Sequence, residues 1–173
     1  MLPPRKITPS SLADYLEVLT KAVFQSGMSW RVVEAKWSGF RAAFDGFDPA
    51  KVAAFGERDI DRLAEDTRII RNRRKIEATI HNAETMLALD REHRGFSRYL
   101  RSQDSFADLV AGLRRNFRFL GDTGAYFFLY VVGEKVPSHD EWEASRAQKA
   151  SPRAAASPRA AKVSLKPGPS SPP

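Results

Sequence analysis

The sequence predicts an all-α protein. Apolar residues recur at three- and four-residue spacing in segment after segment, and no stretch alternates convincingly over strand length. The breaks between periodic segments carry serine, aspartate, asparagine, glycine or proline, the residues that start and stop helices. At 173 residues, 42% of them apolar, the chain can bury one ordinary core.

Taken in order, Ser10 and Ser11 are placed to cap a helix that carries Leu12, Tyr15, Leu16, Leu19 and Val23 on one stripe and stops at Gly27. Ser29 caps a second, whose apolar face is Val33, Trp37, Phe40 and Phe44. Asp48 followed by Pro49 opens a short helix through Phe55, and another lies near Ile60 and Leu63. The longest runs from about Asn72 to Glu92, with Ile76, Ile80, Ala83 and Leu87 inward. Asp104 or Ser105 caps the next, over Phe106, Leu109, Val110 and Leu113, and the last spans Thr123 to Val132 before Gly133. His81, His93, Trp37 and Trp142 are expected to be structural.

Composition excludes several functions. With no cysteine there is no disulfide, thiolate metal site or cysteine nucleophile, and three scattered histidines do not assemble a tetrahedral metal site, so no metal or cofactor is expected. The first residues lack the apolar core of a signal peptide and no apolar run reaches bilayer length, so a cytoplasmic protein with no membrane association, acting as a monomer, is expected. The net charge of +7 is concentrated in the tail: Ala144 to Pro173 holds six basic residues and no acidic one, leaving +1 elsewhere. That segment has six of the 11 prolines, no aromatic residue and a repeated SPRAA. The expected organisation is therefore a helical domain over 1–143 and a disordered basic tail over 144–173, either a cationic arm for phosphates or a solubilising extension.

Two stretches carry chemistry. Gln25-Ser-Gly-Met-Ser-Trp30 places a methionine and a tryptophan beside a glycine at a helix break, and Arg114 to Gly133 reads as a helix, a turn containing Gly121 and Gly124, and a second helix: a helix-hairpin-helix. Glycines let a backbone approach a partner, and the unpaired N–H groups of a helix start favour an anion such as a DNA phosphate. A plain helix connection accounts for the same glycines, and core packing for the same methionine and tryptophan. The run Arg71-Asn-Arg-Arg-Lys75 points its charges in different directions on a helix and reads as a solvated helix start; Arg114, Arg115 and Arg118 are better placed for DNA phosphates.

Gln-x-Gly-x-Ser-Trp at 25–30, Phe-Asp-Pro-x-Lys-Val-Ala at 47–53, Ile-Ile-Arg-x-Arg-x-Lys-Ile at 69–76 and Phe-Arg-Phe-Leu-Gly at 117–121 together resemble the 3-methyladenine DNA glycosylase I family of the helix-hairpin-helix superfamily. The resemblance implies a turn, Gln25 with Gly27, Met28, Ser29 and Trp30, that enters the duplex at a lesion: Met28 plugs the gap left by the extruded base and Trp30 stacks on that base. It implies phosphate binding by Arg118, Gly121, Thr123 and Gly124 at the hairpin. It implies Asp140 as the carboxylate that stabilises charge developing on the sugar, a helix cap or surface role being the other reading of that residue. The chain departs from the family where zinc ligands would stand, with only His139 in place. It also departs at Ala22, which matches the family's base-recognising carboxylate, and at Ser138, which matches the aspartate beside that histidine.

The implied activity is hydrolytic excision of alkylated purines of the 3-methyladenine type from double-stranded DNA containing damaged bases. No lysine stands in Leu120-Gly-Asp-Thr-Gly124 to act as a Schiff-base nucleophile, so a monofunctional glycosylase is expected. The alternatives are a non-catalytic protein that binds damaged or distorted DNA through the same turn and hairpin, and a helical interaction module whose tail recruits acidic partners.

Overall fold

The computed structural model describes residues 3–150, and among these every regular element is a helix. The chain divides into two units at Val136 and Pro137. The first contains α1 (Leu12–Gln25), α2 (Trp30–Ala35), α3 (Trp37–Ala43), α4 (Pro49–Ala53), α5 (Glu57–Ala64), α6 (Arg73–His93), α7 (Phe96–Leu100), α8 (Phe106–Asn116) and α9 (Asp122–Val131). The described part of the second is α10 (His139–Ala150). None of the helices among the described residues is long and apolar enough to cross a membrane.

Local sequence explains most of the helix starts. Asp48 accepts the N–H groups of Ala50 and Lys51 with Pro49 at the first position of α4, Asn72 accepts Lys75 N–H at the start of α6, and Ser105, not Asp104, caps α8 by accepting Asp108 N–H. Ser11 occupies the N-cap of α1 without a side-chain bond; Asp14 instead reaches back to the N–H and hydroxyl of Ser10 at 2.8 and 3.0 Å.

Helix α6 runs through the middle of the first unit, against α1, α4, α5 and α7, while α1 also packs on α9 and α9 on α8. Ile76, Ile80, Ala83 and Met86 face inward; Leu87, on the expected stripe, is only half-buried and Met86 takes the core position. A stack of rings joins α3 to the 45–47 segment, which packs against both α1 and α3: Trp37 lies 5.4 Å from Phe47 at 8°, and Phe44 lies 5.6 Å from Phe47 at 10°. Seating Phe47 there requires positive φ at Asp45, Gly46 and Phe47 in succession (49°, 65° and 59°). That left-handed turn costs about 1–2 kcal/mol at each of its two non-glycine residues, and complete burial of the Phe47 ring offsets most of it.

Two expectations are revised and one unforeseen helix is added. The single helix expected from Ser29 through Phe44 breaks at Lys36 (φ −98°, ψ 1°). A one-residue break leaves the apolar spacing intact, so periodicity does not reveal it; long-range packing imposes it, because Lys36 Nζ donates to the Thr67 carbonyl at 2.9 Å and Gly39 lies directly on the Arg68 backbone. The five-residue α7 escapes a periodicity reading altogether, being too short to show a period. In the second unit, α10 continues through residues 144–150, which the composition assigned to a disordered tail. Its start is a reciprocal cap: Ser138 N–H donates to Glu141 Oε2 and Glu141 N–H to Ser138 Oγ, at 2.9 and 3.3 Å. The rest of the expected tail, 151–173, lies outside the described residues.

A Cβ on Gly39 would stand 2.3 Å from the Arg68 carbonyl oxygen and 2.8 Å from its Cβ. Gly39→Ala therefore has to separate α3 from the 65–72 loop, an overpacking cost of about 1–3 kcal/mol. In a chain of this size that lowers the melting temperature by about 2–4 °C per kcal/mol, measured by thermal circular dichroism. An unchanged melting temperature contradicts this close approach.

Candidate functional site

The turn from Gln25 to Trp30 is a surface feature. Helix α1 ends at Gln25, Gly27 turns the chain at φ +73°, a conformation glycine enters without a Cβ penalty, and Ser29 leads into α2 as its N-cap with no side-chain bond. Met28 is 39% exposed and Trp30 43%. Neither belongs to the core, and Trp30 stands on the wall of a half-open cavity of about 860 Å³ with Glu17, Lys21, Gln25, Glu34 and Trp37. That volume lies within the ordinary range of small-molecule sites. Ala22 is on another face of α1: it is 4% exposed and packs toward α9, its Cβ 3.8 Å from where a Cβ on Gly124 would be.

The hairpin joins α8 to α9 through residues 117–121. Gly121 is the N-cap of α9 with open space around it, and Thr123 is exposed in the helix's first turn. At Gly124 a Cβ would meet Leu120 Cδ1 at 3.1 Å, so the absence of a side chain there also serves packing inside the fold. Arg114 pairs with Asp122 at 2.9 Å and so braces the hairpin. Arg118 is exposed while its backbone is fixed from both sides, its N–H donating to Asn82 Oδ1 at 2.8 Å and its carbonyl accepting from Asn82 Nδ2 at 3.1 Å.

The basic run at 71–75 resolves into separate tasks. Arg73 forms ion pairs with Glu57, Asp61 and Glu77. The guanidinium of Arg74 lies over the ring of Phe119, 5.5 Å from its centroid. Lys75 is 5% exposed and donates to the carbonyls of Ser26 at 2.6 Å and Phe24 at 3.2 Å. Those carbonyls belong to the C-terminal turn of α1, which has no intrahelical donors for them and carries the negative end of the helix dipole. Burial pushes the Lys75 ammonium below the ordinary lysine pKa.

Sequence reasoning missed Lys75, Asn82 and Phe119. A lysine within a basic run carries no local sign of burial, and an asparagine in mid-helix shows its purpose only once the hairpin lies beside it. Phe119 is exposed at 40% with φ +56°, an unusual state for a bulky residue, which no pattern in the sequence announces.

Asp140 is exposed in the first turn of α10, whose capping falls to Ser138 and Glu141. Hydrogen bonds from Ser138 hold the Glu141 carboxyl below the ordinary carboxylate pKa. His139 Nε2 lies 3.9 Å from Glu143.

An all-helical unit that presents an exposed aromatic turn beside a cavity, together with a helix-hairpin-helix, has the architecture of a helix-hairpin-helix DNA glycosylase. The sequence profile of the methyladenine glycosylases matches residues 11–111. The chain is 34% identical over 130 residues to DNA-3-methyladenine glycosylase 1 of Escherichia coli (strain K12), an alignment covering 63% of this chain and 70% of that one. Among solved structures it is similar to a crystal structure of 3-methyladenine DNA glycosylase I, with TM-score 0.64 and 30% identity over 73% of this chain and 81% of that one. It is also similar to the 3-methyladenine DNA glycosylase I of Staphylococcus aureus, with TM-score 0.67 and 25% identity over 75% and 80% of the two chains. The chain belongs to the methyladenine glycosylase family.

Lys75→Met removes both donors from the α1 carbonyls and is expected to destabilise the fold by about 1–3 kcal/mol. The pH dependence identifies the group. Because the folded-state pKa lies below the ordinary lysine value of 10.5, the unfolded chain binds more protons between the two values. Wild-type stability then gains a rising contribution across that alkaline window, which is lost as the pH falls through the folded value. Denaturant titrations from neutral to alkaline pH should show this contribution in the wild type and not in Lys75→Met; parallel curves contradict it.

Proposed function

We propose that this chain is a monofunctional DNA glycosylase that extrudes an alkylated purine of the 3-methyladenine type from duplex DNA and hydrolyses its N-glycosidic bond. The observation that carries the proposal is the exposure of Met28 and Trp30 on the turn beside the cavity, in a member of this family. Extrusion costs a few kcal/mol of lost stacking and pairing. Met28 refills the vacated space, and Trp30 gives the extruded base a new stacking surface at the cavity wall. Gly27 keeps the turn narrow. At the hairpin, the N–H groups around Gly121 and Thr123 at the start of α9, with the Arg118 guanidinium, hold the phosphate backbone.

An alkylated purine such as 3-methyladenine is already cationic on the DNA, so it leaves as a neutral base and needs no proton from the protein at the moment of cleavage. Positive charge then develops on the sugar. In this reading Asp140 stabilises that charge and water completes the reaction. The protein acts as a monomer in the cytoplasm. A second reading, binding of damaged DNA without cleavage, is favoured by Ala22, an apolar residue where the sequence resemblance expects a base-recognising carboxylate.

Mass-spectrometric analysis of bases released from methylated DNA by the purified protein separates the two readings: free 3-methyladenine is expected, whereas tight lesion binding with no free base supports the second. Asp140→Asn should lower the single-turnover rate without weakening DNA binding. Met28→Ala should weaken binding to an abasic-site duplex by about 1–3 kcal/mol, the scale of a lost contact to a base. Trp30→Ala should mainly slow base release. Both substitutions at the turn should leave the melting temperature close to wild type, because neither side chain is buried. A large loss of stability with unchanged activity per folded molecule overturns the assignment of the turn.

A further inference from the structure

The basic run at the start of α6 separates by face, and one arginine is left facing outward with an aromatic ring for a neighbour. Arg73 is held by Glu57, Asp61 and Glu77, and Lys75 by the carbonyls of Phe24 and Ser26. Arg74 has no ion pair among the described residues, since Glu77, one turn further along, is taken by Arg73. Its guanidinium lies over the ring of Phe119, 5.5 Å from the centroid, and both residues are exposed. Stacking uses the flat face of a guanidinium and leaves its in-plane N–H donors free.

The ring is fixed from beneath. Arg118 is bonded to Asn82 through both its N–H and its carbonyl, and Leu120 is 6% exposed, so the backbone is clamped on each side of Phe119. Phe119 is presented from there at φ +56°, the left-handed region that a bulky side chain enters at a cost. The pair also stands between the two features that the proposed function places on DNA. Lys75, the residue after Arg74, bonds the backbone of the Gln25–Trp30 turn at Ser26, and Arg118, the residue before Phe119, belongs to the hairpin.

We propose that Arg74 and Phe119 form a third contact with duplex DNA, in which the ring packs on a deoxyribose of the strand that crosses α6 and the guanidinium it orients binds the adjoining phosphate. The proposal rests on the glycosylase reading for its partner and adds a surface to which that reading gives no task. Charge and continuity select duplex DNA as the occupant: the pair offers a cation and an apolar plane with no carboxylate of the described residues bonded to it, and the turn and the hairpin lie on either side. Guanidinium donors match a phosphate bidentately, and a sugar has no charge to desolvate against a ring. Sugar and phosphate are alike at every step, so this contact contributes equally to intact and damaged DNA, whereas Met28 and Trp30 act only where a base has left the stack.

The test compares wild type, Arg74→Gln, Phe119→Gly and Arg73→Gln as full-length chains. Affinity for a labelled intact duplex and for an abasic-site duplex is read by fluorescence anisotropy from about 50 to about 200 mM salt, together with the melting temperature of each protein. Arg74→Gln should flatten the slope of log affinity against log salt by about 0.9, one phosphate contact, so that it loses about 3.5-fold less affinity than wild type across that range. Phe119→Gly should weaken both duplexes at least about fivefold with little change of slope, the scale of one aromatic contact to nucleic acid. Its melting temperature should equal or exceed that of wild type, because glycine relieves the left-handed strain. Arg73→Gln removes the same charge from another face and should bind both duplexes as wild type does. Wild-type affinity and slope in Arg74→Gln and Phe119→Gly overturn the proposal, as does an equal change of slope in Arg73→Gln, or a Phe119→Gly chain that loses stability and affinity together. Release of 3-methyladenine by the wild type is measured alongside. A wild type that releases no base yet binds duplex in this Arg74- and Phe119-dependent way upholds the proposal while overturning the enzymatic reading, and a wild type that binds neither duplex overturns both.

Discussion

The geometry of the candidate DNA surface depends on one buried interaction, the Lys75 ammonium seated on the last carbonyls of α1. Two turns further along the same helix, Asn82 holds the backbone of Arg118 through both its amide oxygen and its amide nitrogen. Helix α6 is thus bonded at one point to the Gln25–Trp30 turn and at another to the hairpin. A helix rises 1.5 Å per residue and resists bending, so the separation of the two surface features is set by the number of residues between their anchors. A loop-mediated arrangement would leave each free to move relative to the other, and the low stability typical of exposed loops would reach both.

Burying these anchors opposes stability locally. A buried lysine loses hydration, and an asparagine in a helix interior is a weaker helix former than alanine. Both are tolerated because their polar groups are matched: no buried side-chain nitrogen or oxygen among the described residues lacks a hydrogen-bond partner. The surrounding core is strongly apolar, with Phe24, Phe40, Phe44, Phe47, Phe96 and Phe128 all fully buried. Stability therefore resides in the aromatic interior, while the polar contacts determine where the surface loops stand.

Most of the fold is legible in the sequence because most helix starts are encoded locally. Asp48 with Pro49, Asn72, and Ser105 each cap within three residues, and the α1, α6 and α8 stripes follow helical spacing. The break at Lys36 is not legible, because Thr67 and Arg68, about thirty residues away, impose it. The turn at Gln25–Trp30 was legible as a motif, and its exposure follows from Gly27 ending one amphipathic helix and Ser29 starting another. The roles of Lys75 and Asn82 were not, since each depends on a partner more than thirty residues distant in the chain. Gly124 shows a related case: a Cβ there would crowd the Leu120 side chain, a packing demand on α9 that local reasoning does not reveal.

Two phenylalanines in left-handed backbone conformation separate the requirements of folding from those of the surface. Phe47, at φ 59°, is fully buried between aromatic neighbours, and transfer of its ring from water is enough to offset the conformational cost. Phe119, at φ 56°, bears a cost of the same kind at the hairpin but is 40% exposed, with the Arg74 guanidinium over its ring. An exposed cation–π contact contributes about 0.5–1 kcal/mol, less than the roughly 1–2 kcal/mol of a left-handed non-glycine residue. The difference has to be supplied by the elements that hold the hairpin, Asn82 on Arg118 and Arg114 on Asp122. Backbone strain held in this way, on a surface fixed by its surroundings, is characteristic of sites that meet a ligand. A hairpin needed only to connect α8 with α9 could relieve it with a glycine at position 119.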